Sequence, residues 1–234
     1  MAMSTAVMAI AAHPGDAFFS MGAAVALHIH QGGSGVFLSL SLGEKGHPTI
    51  DTARYGAMQR EATLKASAIV GAQAEFLPYP DAEIPSGDRI ALEICDLIRK
   101  HKPGIVITHW QGSWHKDHQN TFLAVRDAVF YAGLKSLKRD LPAHQAARTL
   151  YAENWEDATN YRADFALDIT PVFEKWIKAC EVFPMWRGET GLIRYNDYYR
   201  SLAAQRGALA GCKYAVTLMQ EPPDRPPLRT RLDF

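Results

Sequence analysis

The stretch Ala6-Val7-Met8-Ala9-Ile10-Ala11-Ala12-His13-Pro14-Gly15-Asp16 joins a short apolar run to a polar turn. Such a run, flanked by small residues, is typical of a strand that is buried on both faces of a sheet. Proline and glycine end the strand, so a histidine and an aspartate follow directly at its carboxyl end. A second apolar run, residues 104–109, leads in the same way to His115-Lys116-Asp117-His118.

Strand-like and helix-like patterns alternate along most of the chain. The predicted strands are residues 6–11, 36–42, 75–79, 105–109, 149–154 and 165–169, and the predicted helices are 18–31, 51–70, 90–98, 117–132, 172–183 and 197–211. This alternation indicates crossover units. It predicts an α/β fold, a Rossmann-like three-layer sandwich with a mainly parallel sheet. We expect one domain over residues 1–234, with an extended, proline-rich tail from about residue 221.

The expected strand order brings the two polar turns together. In a doubly wound sheet of order 3-2-1-4-5, strands one and four are neighbours whose crossovers leave in opposite directions. A crevice opens at their carboxyl ends. By this count His13 lies on one lip of the crevice, and the segment from His109 to His118 lies on the other.

Composition narrows the classes of partner. The 25 basic residues balance the 25 acidic ones, so no global field favours nucleic acid or anionic lipid. No apolar stretch reaches the roughly 18 residues of a spanning helix, and the N-terminus lacks the plan of a secretion signal. We therefore expect a cytoplasmic protein with a small-molecule substrate and no membrane span, and we leave open whether it forms a homo-oligomer. The three cysteines, without a CxxC pair, are expected to be buried thiols.

The two polar turns have the chemistry of a zinc site. Three ligands of the His/Asp/His type leave one position for water, whose pKa a catalytic zinc lowers to about 7. We assign His13, Asp16 and His118 as ligands, although the same donors would accept another divalent metal. Asp117 is expected to orient a neighbouring histidine. His115 remains to donate a proton or to hold a developing oxyanion.

At these residues the chain resembles the PIG-L/LmbE-like family of zinc-dependent de-N-acetylases. The family motif Ala-His-Pro-Asp-Asp-Glu is matched by Ala12-His13-Pro14-Gly15-Asp16-Ala17, and His-Pro-Asp-His is matched by residues 115–118. Weaker similarities are Gly43-Glu44, Arg60-Glu61 and the closing region 206–215. The resemblance implies a single LmbE-like domain and the hydrolysis of a small polar N-acetyl amide of sugar type. Glu44 and Arg60 are expected to contact that substrate.

One position departs from the family pattern. The first aspartate of the motif is the family's general base, and Gly15 stands in its place. Loss of a positioned base costs roughly a hundred- to ten-thousand-fold in rate. Three interpretations follow. Asp117, His115 or Glu44 could act as base for amide hydrolysis; the metal could serve hydration of an unsaturated oxo-acid, as in a branch of the family; or the protein could bind metal without catalysis.

Overall fold

Seven strands form one sheet around which the chain is built. The computed structural model describes residues 5–157, 159–191 and 193–220. Within them the strands are β1 (Ala6–Ala11), β2 (Ser34–Ser39), β3 (Gln73–Phe76), β4 (Pro103–Thr108), β5 (Arg148–Ala152), β6 (Phe165–Asp168) and β7 (Ala215–Gln220). Their order is β3-β2-β1-β4-β5-β7-β6. The first five strands in this order are parallel, and β7 is antiparallel to both of its neighbours.

Helices cover both faces of the sheet. They are α1 (Pro14–Phe19), α2 (Gly22–His30), α3 (Thr52–Val70), α4 (Asp88–His101), α5 (Lys116–Gly133), α6 (Phe173–Cys180) and α7 (Tyr195–Ala210), with a 3-10 turn at Thr170–Val172. Strand β1 has apolar side chains on both faces: Val7, Ala9 and Ala11 join the core under α1, α2, α3, α6 and α7. Met8 and Ile10 join the core under α4 and α5. The predicted three-layer α/β sandwich is confirmed, including the reversal between β1 and β4.

The predicted helix over residues 18–31 is wrong, because two helices occupy this segment. The Phe18 carbonyl, near the end of α1, accepts a hydrogen bond from the Trp176 indole at 2.7 Å. The same ring lies against Gly22, where an added Cβ would come within 3.2 Å of Trp176 Cδ1. A tertiary contact with α6 therefore accompanies the break, and local periodicity could not reveal it.

Three further details differ from the predictions. Strand β7 was not predicted, although Gly211 ends α7 in a left-handed turn shortly before it. The predicted helix 172–183 is a 3-10 turn followed by α6, which ends at Cys180. Cys95 and Cys180 are buried thiols as expected, whereas Cys212 is only partly buried. The predicted tail from about residue 221 lies outside the described residues.

A buried arginine closes the far end of α5. The Arg99 guanidinium donates hydrogen bonds to the carbonyls of Ala132, Tyr131 and Leu134 at the carboxyl end of this helix. It also donates to Leu137 and Leu141 in the following loop. A cation is favourable at a helix C-terminus, where backbone carbonyls lack partners within the helix. This anchoring matters for the site, because the other end of α5 carries His118.

No helix in the described part of the chain is long and apolar enough to cross a membrane.

Candidate metal centre

The turns after β1 and β4 meet as the strand order predicts. Asp16 Oδ2 lies 3.1 Å from His13 Nδ1 and 3.1 Å from His118 Nε2. The three side chains can each offer one donor atom, and these atoms all lie within 4.8 Å of one another. Two imidazole nitrogens and one carboxylate oxygen form a donor set that suits a divalent transition metal such as zinc. The chain therefore has a group of residues that could hold a metal ion.

Each imidazole also has a partner for its remote nitrogen. His13 Nε2 lies 3.0 Å from Asp81 Oδ1 and 3.4 Å from Asp117 Oδ2. His118 Nδ1 lies 3.0 Å from Glu156 Oε2 and 3.3 Å from Ser113 Oγ. In metal sites a carboxylate on the remote nitrogen fixes the ring orientation and leaves the other nitrogen free to bind metal. The surroundings of both rings thus fit the metal donor set.

Carboxylates favour the protonated form of both histidines. At His13, burial opposes the charge, but hydrogen bonds to Asp117, Asp16 and Asp81 raise the pKa well above 6.5. At His118, burial also opposes the charge, but the neighbouring carboxylates, chiefly Asp16, outweigh burial and raise the pKa to about 9. The pKa of Asp16 is held well below its usual range, against the effect of burial, by His118 and His13. In the metal-free protein, protons on two imidazoles neutralise the carboxylate that lies between them.

Three imidazole rings stack at the start of α5. His118 lies between His109, at a centroid distance of 3.9 Å, and His115, at 4.6 Å, with interplanar angles of 20° and 19°. His109 Nε2 accepts the Ala12 N–H at 3.0 Å, so this ring acts as a neutral acceptor. Burial, followed by the charge of His118, lowers the pKa of His109 well below 6.5. His109 therefore packs against one face of the His118 ring and links it, through the Ala12 N–H, to the end of β1.

The hydrogen bonding of His115 assigns its tautomer. His115 precedes α5, and its Nδ1 accepts the Asp117 N–H at 3.2 Å as a helix cap. Burial, and then the charges of His118 and His13, lower the pKa of His115, so the ring is neutral at pH 7. A neutral ring that accepts at Nδ1 carries its proton on Nε2. His115 is thus an N–H donor beside the metal-type donors.

His13, Asp81 and Asp117 form a second group with metal-ligand spacing. In this group the ligand atom of His13 is Nε2, whereas in the first group it is Nδ1. A neutral imidazole carries a proton on one of its two nitrogens, so His13 can serve only one of the two groups at a time. Asp117 is fully buried, and it does not line the cavity beside His13. A catalytic metal needs an open position. His13, Asp16 and His118 all line the cavity, so the group that contains both histidines fits that requirement better.

The loop that carries Asp81 is tied to its neighbours by hydrogen bonds. Glu44 Oε1 accepts the Asp81 N–H at 2.8 Å, and Asp81 Oδ2 accepts the Lys45 N–H at 2.9 Å. Lys45 Nζ donates to the Asp81 carbonyl at 2.6 Å. From α5, Asn120 donates to the Ile84 carbonyl at 2.7 Å. The turn after β2 and helix α5 together direct the Asp81 carboxylate towards His13.

The two residues expected to contact substrate lie away from the cavity wall. Glu44 is engaged with Asp81 and Ser41, and it is not among the residues that line the cavity. The exposed Arg60 guanidinium lies 4.2 Å from the centroid of the Phe76 ring, and Arg60 is not a lining residue either. The neighbouring Gln59 does line the cavity. A direct role of Glu44 and Arg60 in substrate binding stays a prediction.

The cavity beside the metal-type donors is small and has an aromatic wall. Its volume is about 130 Å³, and Phe19, Trp155, Tyr195 and Tyr199 line it together with the histidines. Gly15 also faces this space. Among the described residues, no arginine or lysine lines the cavity. Positive charge in this space would therefore come only from the imidazoles or from a bound metal ion.

Sequence analysis missed Asp81, Asn154 and Glu156. Asn154 Nδ2 donates to Asp16 Oδ1 at 3.3 Å, and Glu156 pairs with His118. The available signal was their position, since each follows a strand at the same edge of the parallel sheet as His13. Asp81 comes after β3, and the other two come after β5. Polar residues after every parallel strand, rather than after β1, β2 and β4 alone, were the correct set to consider.

Comparison with known proteins agrees with this architecture. The sequence profile of the PIG-L family, described as GlcNAc-PI de-N-acetylase, matches residues 8–129, which is more than half of the chain. The chain belongs to the PIG-L family. The matched region of this PIG-L family member includes both polar turns and Asp81.

Relatives of this PIG-L family member have different activities. The chain is 26% identical over 222 residues to the 4-oxalmesaconate hydratase of Pseudomonas putida, an alignment that covers 90% of this chain and 83% of the relative. It is 27% identical over 218 residues to the diacetylchitobiose deacetylase of Thermococcus kodakarensis, covering 89% and 80%. Membership of the family therefore leaves two reaction types open.

Solved structures share the whole fold. The 4-carboxy-2-hydroxymuconate hydratase GalB of Pseudomonas putida superposes with a TM-score of 0.86 at 23% identity, covering 98% of this chain and all of that chain. The N,N'-diacetylchitobiose deacetylase of Pyrococcus horikoshii gives 0.78 at 21% identity, covering 94% and 85%. At these identities, the similarity to solved structures shows only the fold of this PIG-L family member, and it does not show an activity.

Metal binding is expected to release protons. At pH 7 the PIG-L family member holds protons on His118, whose pKa is about 9, and on His13, whose pKa is raised. A metal ion at Nδ1 of His13 and Nε2 of His118 must displace them, so close to two protons should leave per metal ion. Affinity should fall as the pH is lowered, by about tenfold per pH unit for each proton displaced. Calorimetry in buffers of different ionisation enthalpy measures this number, and metal binding without proton release at pH 7 would contradict it.

Asp81 is expected to support metal affinity. Replacing Asp81 with Asn keeps the shape of the side chain but removes the charge opposite His13 Nε2, and we expect metal affinity to fall about 10- to 100-fold. The matched control is Glu83→Gln, which removes a charge from the same loop at a side chain that is 64% exposed. Zinc titration against a chromophoric chelator measures both variants. Equal metal affinity in the Asp81 variant and the wild type would show that Asp117 alone is sufficient to support His13 as a ligand.

Proposed function

We propose that this protein is a metal-dependent hydrolase of a linear amide C–N bond, acting as an N-deacetylase on a small polar N-acyl compound of sugar type. The observation that carries the proposal is the neutral N–H donor of His115 beside the donor set of His13, Asp16 and His118. Amide hydrolysis requires stabilisation of a developing oxyanion and protonation of a departing nitrogen. A neutral imidazole with its proton on Nε2 supplies the first by donating a hydrogen bond, and the proton that the attacking water loses supplies the second.

His13, Asp16 and His118 would hold the metal. Once bound, a divalent ion supplies Lewis-acid chemistry, because it polarises an acyl oxygen and lowers the pKa of a coordinated water. Asp81 and Asp117 keep the His13 proton on Nε2, and Glu156 with Ser113 keeps that of His118 on Nδ1. The two nitrogens that face the cavity are thereby available as ligands.

His115 stabilises the developing charge in this proposal. Its Nε2–H donates a hydrogen bond to the oxygen of the attacked acyl group, where negative charge develops. The proton that the attacking water loses passes to the amine nitrogen as the C–N bond breaks, so His115 keeps its own proton. The Asp117 N–H holds Nδ1 throughout, so the ring does not need to change its orientation.

The lining of the cavity favours a neutral polar substrate. A ligand with several carboxylates is normally held by arginine or lysine, and among the described residues none of these lines the cavity. Aromatic side chains and the Gln59 amide supply apolar faces and neutral hydrogen bonds instead. An N-acylated sugar presents matching surfaces, with apolar C–H groups on the ring faces and hydroxyls at the edge.

Hydration of an unsaturated oxo-acid is the second candidate. The observation that favours it is Gly15, which faces the cavity where the PIG-L motif has an aspartate. The remaining acids do not fill that gap: Asp81 and Glu156 lie at the remote nitrogens of His13 and His118. The similarity to a hydratase of Pseudomonas putida supports the same reaction class.

Paired assays test the two reactions. The zinc-loaded protein should release acetate from N-acetylglucosamine or N,N'-diacetylchitobiose, and a chelator should abolish the release. Replacing His115 with Gln should lower kcat by about 10²- to 10³-fold without changing zinc affinity. His144→Gln is the control, since His144 contacts the Pro103 carbonyl at the opposite end of β4. Loss of enoate absorbance from an unsaturated oxo-acid, with no acetate release, would favour the hydratase.

Placing an acid at position 15 tests whether the missing base limits amide hydrolysis. A Cβ at Gly15 would lie 3.3 Å from Phe19 Cε2 and 3.6 Å from Met185 Sδ, so a side chain fits after a small shift of the ring. For a hydrolase, Gly15→Asp should raise kcat for amide hydrolysis about 10²- to 10⁴-fold. Gly15→Asn, which has the same shape without the base, should give no gain. Acetate release that fails to rise in the Asp variant would show that a base at position 15 does not limit amide hydrolysis.

A further inference from the structure

We propose that Trp114 and the depression beside it form a second binding site, which holds the distal sugar ring of a glycan whose N-acyl group enters the cavity. The proposal rests on the proposed function for the identity of the reacting group. Nothing in the His13, Asp16 and His118 donor set requires Trp114, so the evidence for the second site comes from other residues.

Trp114 lies next to two residues that line the cavity, and its side chain is exposed to solvent. It is 60% exposed, whereas the other four tryptophans of the chain are buried or partly buried. Its ring lies 5.7 Å from that of His115 and 6.0 Å from that of Trp155, both of which line the cavity. The Trp114 N–H donates to the Glu156 carbonyl at 3.2 Å, which fixes its backbone. Trp114 therefore extends the aromatic wall of the cavity outwards.

A polar depression begins on the other side of Trp114. It has a volume of about 410 Å³, and Gln111, Ser113, Gln119 and Asn160 contribute to its lining. In the described part of the chain, no charged residue lines it. Amides and hydroxyls both donate and accept hydrogen bonds, as the hydroxyls of a sugar require. An aromatic ring beside neutral amides fits a pyranose, whose C–H face can lie on the indole.

The size of the cavity explains why a second site is needed. An engineered apolar cavity of about 150 Å³ holds one benzene molecule, and the cavity here is about 130 Å³. It has room for an acyl group and part of one ring. The remainder of a larger substrate would lie outside the cavity, and Trp114, whose ring is 6.0 Å from that of the lining residue Trp155, offers it an exposed aromatic surface. A substrate of two or more sugar rings would use both sites.

The charge of the two sites argues against other ligands. A phosphate or a carboxylate at the distal position would call for arginine or lysine. A large apolar partner would call for a contiguous apolar patch, whereas the depression is lined mostly by polar groups. Stacking with neutral hydrogen bonds remains, and this combination selects a carbohydrate.

Binding of one and two sugar rings tests the proposal. The probes are N-acetylglucosamine and N,N'-diacetylchitobiose, titrated into zinc-loaded protein with tryptophan fluorescence as the readout. Stacking of a ring on an aromatic side chain changes affinity about 5- to 100-fold. The wild type should bind the disaccharide more tightly by that factor, with a fluorescence change that is lost in Trp114→Ala. Trp114→Ala should weaken only the disaccharide, and Trp114→Phe should restore most of the affinity.

Phe130→Ala is the matched control, because Phe130 is 62% exposed on helix α5, which begins directly after His115. It should change neither affinity. Equal binding of the two sugars by the wild type, no measurable binding of either, or equal weakening of both by Trp114→Ala would overturn the proposal. Binding that depends on Trp114 without acetate release would retain the second site and reject the proposed hydrolase. Acetate release from both sugars that is unchanged in Trp114→Ala would support the proposed hydrolase and reject the second site.

Discussion

The Asp16 carboxylate holds two imidazoles that come from opposite lips of the sheet, each 3.1 Å from the same oxygen. The contact exists because β1 and β4 are parallel neighbours with their carboxyl ends at one edge. Crossovers that leave in opposite directions keep the space above this edge open. Every other group of the site either supports this contact or faces the cavity beside it. The position of the site is thus a consequence of strand order.

The outer carboxylates explain how the contact remains ordered in a buried place. Unpaired charges in an interior are costly, so buried acids and imidazoles must satisfy one another. His13 has Asp16 on one nitrogen and Asp81 with Asp117 on the other, and His118 lies between Asp16 and Glu156. Each ring is held at both nitrogens, so the proton that stays on each ring after metal binding is the one beside the outer carboxylate. A bound cation would replace two protons without requiring the rings to turn.

Much of this arrangement could be predicted from sequence, for a definite reason. His13, Asp16 and His118 follow strands whose apolar pattern is strong, and their meeting follows from the topology of a parallel sheet. Asp81 could not be placed in the same way, because it lies in an irregular loop after the four-residue strand β3. The neighbouring Ala82 has a left-handed backbone, with φ of 63°. Glu44, which accepts the Asp81 N–H, and Lys45, which donates to Asp81, direct this residue inwards, rather than local pattern.

The break between α1 and α2 likewise depends on contacts with residues that are distant in sequence. The sequence from Phe18 to Gln31 has helical spacing throughout, and only contact with Trp176 accounts for the two separate helices. Local pattern determines which elements form, while side chains more than a hundred residues away determine where they end. The exposed Trp114 is a further case, since its position beside the cavity depends on the loop after β5.

The spacing of His115-Lys116-Asp117-His118 shows how one short turn controls several protons. The Asp117 N–H donates to His115 Nδ1, which caps α5, and so keeps the His115 proton on Nε2. The carboxylate of the same residue lies 3.4 Å from His13 Nε2 and keeps a proton there as well. One residue further, His118 begins the helix face that points to Asp16. A change at Asp117 would therefore disturb a donor and a ligand together, whereas a change at His115 would remove the donor and leave the ligands in place. That difference is why a change at His115, and not one at Asp117, can separate stabilisation of the developing charge from metal binding.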